Sequence, residues 1–165
     1  MLTLKPLSLA DCEQVRLWRN EDISFLRTSR MLTQEEQEDF YADLVCAQHS
    51  KCRYLGIHEG LDFVGMGGLV NISWENSHAE ISIIIDPLKR RQKIGAKAVS
   101  MILAHGFGRL NLHNIYGECY ACSPYMAFWE EMIREYQAYD TTLPQRKYWN
   151  GKYYDSLYFN FMRQE

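Results

Sequence analysis

The stretch "HAEISIIIDPLKRRQKIGAKAVSMILAHG" at residues 78–106 constrains the fold more than any other. It opens on the most apolar run of the chain, which Pro87 ends, and an unbroken run of this kind belongs in the middle of a sheet. A helical pattern follows from Ile94 to Gly106, with Ala96, Val99, Ser100, Leu103 and Phe107 supplying the packed face. Between strand and helix stand Lys89, Arg90, Arg91 and Lys93, four basic residues in five positions. The formal charge of the whole chain is −3, so this turn is a local device and not part of a general positive field.

Other elements fall into place around it. "MLTLKP" alternates as a short first strand. "SLADCEQVRLWRN" reads as a helix with Ser8 as its N-cap and Asp11 at the capping-box position. "TQEE" starts a second helix, capped by Thr33 with Glu36 three residues on, which continues through "FYADLVCAQ". "CRYLGIHE" and "LDFVGMGGLVNISW" form neighbouring antiparallel strands with a tight turn between them. Beyond the central helix, "NIYGECYA" reads as a strand and "SPYMAFWEEMIREY" as a helix with Ser123 as cap and Pro124 at the first helical position. "QAYDTTLP" and "KYYDSLYFNFM" supply two more strands around "WNGK". With no repeat, low-complexity tract or linker, residues 1–165 are expected to form one mixed α/β domain.

Size and composition exclude several functions. A chain of 165 residues, 47% of them hydrophobic, buries one sizeable core and is large enough to be a complete small enzyme. The net negative charge argues against nucleic acid and anionic membranes as partners, and no apolar run approaches the ~20 residues that span a bilayer. Five cysteines, an odd number with no signal-like N-terminus, suggest a reducing, cytoplasmic setting. Cys119 and Cys122 form a C-x-x-C without a second pair, so they are expected to be ordinary thiols and no metal site is expected.

The basic turn has a chemistry of its own. A helix start exposes backbone N–H groups that have no partner within the helix, and these favour anions together with the helix dipole. Lys89, Arg90, Arg91 and Lys93 add charge there, and Gly95 is expected to leave room for a ligand to approach. A solvated surface and a nucleic-acid patch are the alternatives. The ATP-binding "GxxxxGK[ST]" and the dinucleotide "GxGxxG" are both absent.

The order of elements, with "AEISIIIDPLKRRQKIGAKAVSMIL" at its centre, resembles the Gcn5-related N-acetyltransferase family. "LKPLSLADCEQVRLWRN" and "NGKYYDSLYF" are similar to the opening and closing segments of its amino-sugar and ribosomal-protein branches. The resemblance implies an acetyltransferase fold, with a mixed, twisted central sheet flanked by about four helices. It also implies acetyl-CoA as cofactor and acetyl transfer to a primary amine, either of an amino-sugar nucleotide or of a protein N-terminus. The family's pyrophosphate-binding pattern, Arg or Gln, x, x, Gly, x, Gly or Ala, falls on Arg90, Arg91, Gln92, Lys93, Ile94 and Gly95, with Lys93 in place of the first glycine.

By the same resemblance, residues 89–96, which end on Ile94, Gly95 and Ala96, hold the phosphates, and Ile83 and Ile85 bind pantetheine through their backbone. Glu80 is the expected general base, with Glu118 and His78 as alternatives. The usual acid is a tyrosine in the last helix. "AFWEEM" puts Trp129 there, and Cys122 replaces a common asparagine, so Tyr125 or Tyr120 is left to donate the proton. Trp18, Arg19 and Asn20 are expected on one side of the acceptor and Tyr154 on the other. A degenerate CoA-binding or protein-interaction module is the competing reading. Whether the protein is a monomer or a homodimer stays open.

Overall fold

The computed structural model describes residues 1–47, 51–90 and 93–164. Its strands are β1 (Leu2–Lys5), β2 (Arg53–Glu59), β3 (Asp62–Ser73), β4 (His78–Ile85), β5 (Asn114–Tyr120), β6 (Tyr139–Trp149) and β7 (Lys152–Met162), and its helices are α1 (Leu9–Glu21), α2 (Gln34–Phe40), α3 (Ile94–Ala104) and α4 (Met126–Tyr136). One seven-stranded sheet in the order β1-β2-β3-β4-β5-β7-β6 takes in every strand. Among the described residues its only parallel pair is β4 with β5; the other neighbours run antiparallel.

Helices cover both faces of this sheet. Ile84 of β4 packs in a cluster with Cys12, Val15 and Trp18 of α1 and Phe40 of α2. Ile81 and Ile83, of the opposite parity on the same strand, pack in a cluster with Val99, Ile102 and Leu103 of α3 and Met132 and Ile133 of α4. Since side chains alternate across a strand, α1 and α2 lie on one face and α3 and α4 on the other. This double cover is why β4 reads as a continuous apolar run.

Both expected N-caps are present as reciprocal capping boxes, Ser8 with Asp11 and Thr33 with Glu36. Three helix boundaries differ from expectation. The second helix gives way at Tyr41 to a wider turn over Tyr41–Val45, and α3 ends at Ala104, with a similar turn over His105–Arg109. The apolar spacing stays close to helical through such turns, so sequence periodicity does not reveal them. Regular helix α4 starts at Met126, because Ser123 and Pro124 form a tight turn ahead of it, in which the Ser123 hydroxyl accepts the Tyr125 amide at 3.2 Å. In the β6–β7 hairpin, Asn150 and Gly151 both have positive φ, at 48° and 78°, as a two-residue hairpin turn requires.

Candidate active site

The parallel pairing of β4 and β5 covers only His78 with Asn114, Ala79 with Ile115 and Glu80 with Tyr116. From there β4 continues to Ile85, paired with β3 alone, and β5 continues to Tyr120, paired with β7 alone. The sheet therefore opens just beyond Glu80. The Asp86 amide donates to the Val64 carbonyl at 3.0 Å, so even-numbered residues at this end of β4 turn their backbone to β3. By alternation, Ile81, Ile83 and Ile85 turn theirs into the opening. A sheet edge with unpaired N–H and C=O groups is a template for a ligand that carries amides.

At the far end of β4 a turn at Pro87–Lys89 leads to Lys93, the N-cap of α3. Lys93 sits at φ 60°, the left-handed conformation that glycine adopts most cheaply, and its own side chain does not cap the helix start. The first-turn amides of Ile94, Gly95 and Ala96 are therefore not satisfied from within the helix. Arg90 donates from Nε to the Ile85 carbonyl at 3.1 Å, and its guanidinium lies 5.1 Å from the centre of the Tyr125 ring. The expected contributors Arg91 and Gln92 lie outside the described residues. The edge of β4, the start of α3 and the cations Lys89, Arg90 and Lys93 fit a ligand with an amide-bearing arm that ends in phosphates.

One expectation for this turn needs correction. A Cβ built on Gly95 would meet the Phe128 ring of α4 at 3.3 and 3.4 Å, so the missing side chain there serves the packing of α3 on α4. Ile94 likewise places its side chain in a core cluster with Ile57, Val64 and Ala98. What these two residues offer a ligand is backbone.

On the α1/α2 face, where the opening begins, two carboxylates converge. Glu80 shares the parity of Ile84, and Glu118 is opposite in parity to Ile115 and Cys119 of the α3/α4 core, so both point to this face. Their side chains are 9% and 7% exposed, respectively. Arg27, from the segment between α1 and α2, engages Glu80 through both terminal guanidinium nitrogens, one of them at 3.1 Å, and lies 3.8 Å from Glu118. Asn71 donates to Glu80 at 2.9 Å. It can do so because β3 bulges there: two residues, Asn71 and Ile72, stand opposite the single Ala79, and Asn71 turns to φ 50°. Glu118 also accepts from Arg146 at 3.1 Å and from Ser156 at 2.6 Å. Burial pushes the Glu118 carboxyl up, but the Arg146 and Ser156 hydrogen bonds and the charges of Arg146 and Arg27 outweigh it and hold the pKa below the usual carboxylate range.

The remaining predicted residues divide by position. Tyr125 stands at the start of α4 against Phe25, with ring centres 4.8 Å apart. Burial pushes its hydroxyl pKa up against the opposing charge of Arg90. Tyr154 lies on β7 with the parity of Ser156, facing the carboxylates' side. Trp18 is stacked in the core on Phe63, and Asn20 holds Leu32 through its backbone N–H and C=O at 2.8 and 2.9 Å. Arg19 is largely buried, with an Nε that has no partner. His78 packs against Tyr116, and Trp129 stacks on Phe159 in the core, 4.7 Å between centres. Cys122 makes a 3.8 Å contact to the Ser24 carbonyl. Among the described residues no three His, Cys, Asp or Glu side chains are grouped to hold a metal, and no helix is long and apolar enough to cross a membrane.

Sequence reasoning placed the region of residues 25–31 beside the acceptor but missed the pairing of its Arg27 with Glu80, and it missed Asn71, Arg146, Lys147 and Ser156. Only Asn71 left a signal, as the residue that breaks the strand pattern in "LVNISW". Lys147 is buried, and its Nζ donates to the Leu26 carbonyl and, at 2.7 Å, to Ser29 Oγ. It thereby fastens the segment that carries Arg27.

Over residues 1–122 the chain matches the family model described as an acetyltransferase (GNAT) domain. No curated protein is significantly similar in sequence. Among solved structures, spermidine N-acetyltransferase SpeG from Vibrio cholerae in complex with CoA and spermine superposes with a TM-score of 0.85 at 20% identity, over 98% of this chain and 95% of that one. The spermidine/spermine N-acetyltransferase SpeG from the same organism, in complex with manganese ions, gives 0.78 at 21% identity, over 98% and 92%. At these identities the likeness shows the fold.

Proposed function

Because the chain belongs to the GNAT acetyltransferases, a family that uses acetyl-CoA to acetylate amines, we propose that it transfers the acetyl group in the opening between β4 and β5. The observation that carries this is the parting of β4 from β5 directly beyond Glu80, with the backbone of Ile83 and Ile85 turned into the gap. Bound acetyl-CoA supplies an activated thioester. Ile83 and Ile85 hold its pantetheine arm by strand-like hydrogen bonds, and the first-turn amides of Ile94, Gly95 and Ala96 with Lys89, Arg90 and Lys93 hold its phosphates. Arg91 and Gln92 belong to the same turn in sequence. To admit the arm, Arg90 leaves the Ile85 carbonyl.

Glu80 lies at the apex of the gap and takes the proton of the acceptor ammonium, directly or through water, because only the neutral amine has a lone pair to attack with. The new N–C bond forms as the C–S bond breaks, the leaving sulfur receives the proton of Tyr125, and the proton that the acylated nitrogen then loses restores the Tyr125 hydroxyl through water. Asn71 and Arg27 orient Glu80. Fixed geometry of this kind removes much of the entropic barrier. The acceptor is a small-molecule amine, such as an amino-sugar nucleotide, or a protein N-terminus, and it enters on the face lined by Tyr154 and by the segment that Asn20 anchors. Five free cysteines support a cytoplasmic location.

Calorimetric titration with acetyl-CoA tests the cofactor site. Binding near micromolar, about −8 kcal/mol, that weakens about tenfold or more in Arg90→Gln/Arg91→Gln is expected. No binding by the folded wild type overturns the reading. In an acceptor screen, Glu80→Gln is expected to lower turnover roughly 10²-fold or more with little change in acetyl-CoA affinity, and full turnover would remove the glutamate from its role.

A further inference from the structure

The acceptor face places two carboxylates, Glu80 and Glu118, around a single cation that belongs to the protein itself. We propose that Arg27 is a specificity-determining residue. It fills the place between Glu80 and Glu118 that a second ammonium of the acceptor would take, so the site takes an acceptor with one amine whose other groups are neutral or anionic, and it turns polyamines away. This rests on the acetyltransferase reading and narrows its substrate class.

The charges around the site lead there. Glu80 is matched by Arg27, and Glu118 by Arg146 and the more distant side of Arg27, so the carboxylates have no unneutralised charge to offer a second ammonium. One further cation stands close by without a carboxylate of its own among the described residues. Lys147 bonds only to the uncharged Leu26 carbonyl and Ser29 hydroxyl, between the rings of Tyr120 and Trp149. A flexible polycation entering this face meets an excess of like charge. A compound with one amine and a phosphate or carboxylate elsewhere does not.

Arg27 suits such a role. Its side chain is 51% exposed while the carboxylates it bridges are under 10%, so it acts as a plug set in from the solvent side. Its segment is held independently of it, by Asn20 on Leu32, Lys147 on Leu26 and Ser29, and Phe25 on Tyr125. Removing the guanidinium therefore leaves the segment in place and the two carboxylates facing an open cation site.

The test is calorimetric titration of the CoA-loaded protein with spermidine, comparing wild type, Arg27→Met and Arg27→Gln. Wild type is expected to show no binding at millimolar spermidine, each variant to gain about tenfold or more in affinity, and Glu118→Gln added to either variant to abolish the gain. Arg27→Gln keeps a hydrogen-bond donor to Glu80, so if one variant fails to fold the other still answers. Wild type binding spermidine as well as the variants do, or a variant with the wild-type melting temperature and no gain, overturns the proposal. The titration reads cation binding directly. A protein that acetylates no amine at all would defeat the acetyltransferase reading and leave this result standing.

Discussion

At the scale of the residue, Lys93 is held against its own preference. A left-handed φ of 60° costs a side chain about 1–2 kcal/mol, and a positive charge at a helix start opposes the dipole by a further few tenths of a kcal/mol. Neither cost serves the fold, since Lys93 provides no side-chain cap. A ligand phosphate beside the α3 start would account for both, because the charge is useful only when an anion is present. Lys93→Gly is expected to raise the stability of the free protein by up to about 1 kcal/mol, after the roughly 0.5–1 kcal/mol entropic penalty of glycine, while it weakens acetyl-CoA binding and flattens its salt dependence. Melting curves and titrations at two ionic strengths check both halves. A variant that is less stable and binds as before would show that the lysine is structural. The sequence makes Lys93 visible as a departure from a glycine pattern, but not that the left-handed turn survives the replacement. Glu80 stood out through the family resemblance, as the glutamate near the start of the central strand. Its partners did not, because Arg27 is 53 positions away in the chain and looks like any solvated arginine.

At the scale of the element, capping chemistry was the most readable part of the molecule. Ser8 with Asp11 and Thr33 with Glu36 are local patterns with local causes, and both formed. The opening of the sheet was not readable, because it depends on where a parallel register stops, and no residue of β4 or β5 records that individually. Gly95 lies between these cases. Its position in a phosphate-binding pattern suggested room for a ligand, whereas its Cβ direction is filled by Phe128. Gly95→Ala is therefore expected to leave melting temperature and acetyl-CoA affinity close to wild type, since better helix propensity, worth about 1 kcal/mol, offsets a tight but movable ring contact. Gly95→Val is expected to lose about 1–3 kcal/mol by overpacking α3 against α4. Thermal melts and titrations of the pair separate the two accounts: affinity that falls in the alanine variant without loss of stability would return the glycine to the ligand.

At the scale of the whole molecule, the family match ends at residue 122 while the wall of the site does not. β5 carries Glu118, and what holds β5 on its outer side is β7, which arrives last in the chain and inserts between β5 and β6. The β7 strand was legible from its alternation and its Asn-Gly turn, but its place beside β5 is a long-range pairing that periodicity does not encode. Phe159 is the pin of this arrangement. It is fully buried, paired with Gly117 of β5, stacked on Trp129 of α4 and in edge contact with Phe161. A Cβ on Gly117 would collide with its ring, so the missing side chain of β5 and the large one of β7 are two halves of one contact. Phe159→Ala is expected to cost about 3–5 kcal/mol and to lower the melting temperature on the order of 10 °C. Since the ring lies on the α3/α4 face, away from Glu80 and Glu118, catalysis below the transition should fall much less than stability. Melting curves and turnover at low temperature measure the two separately. A loss under about 1 kcal/mol would mean that Trp129 and Phe161 close over the vacancy, and that β5 is held by its hydrogen bonds to β7 and not by this ring.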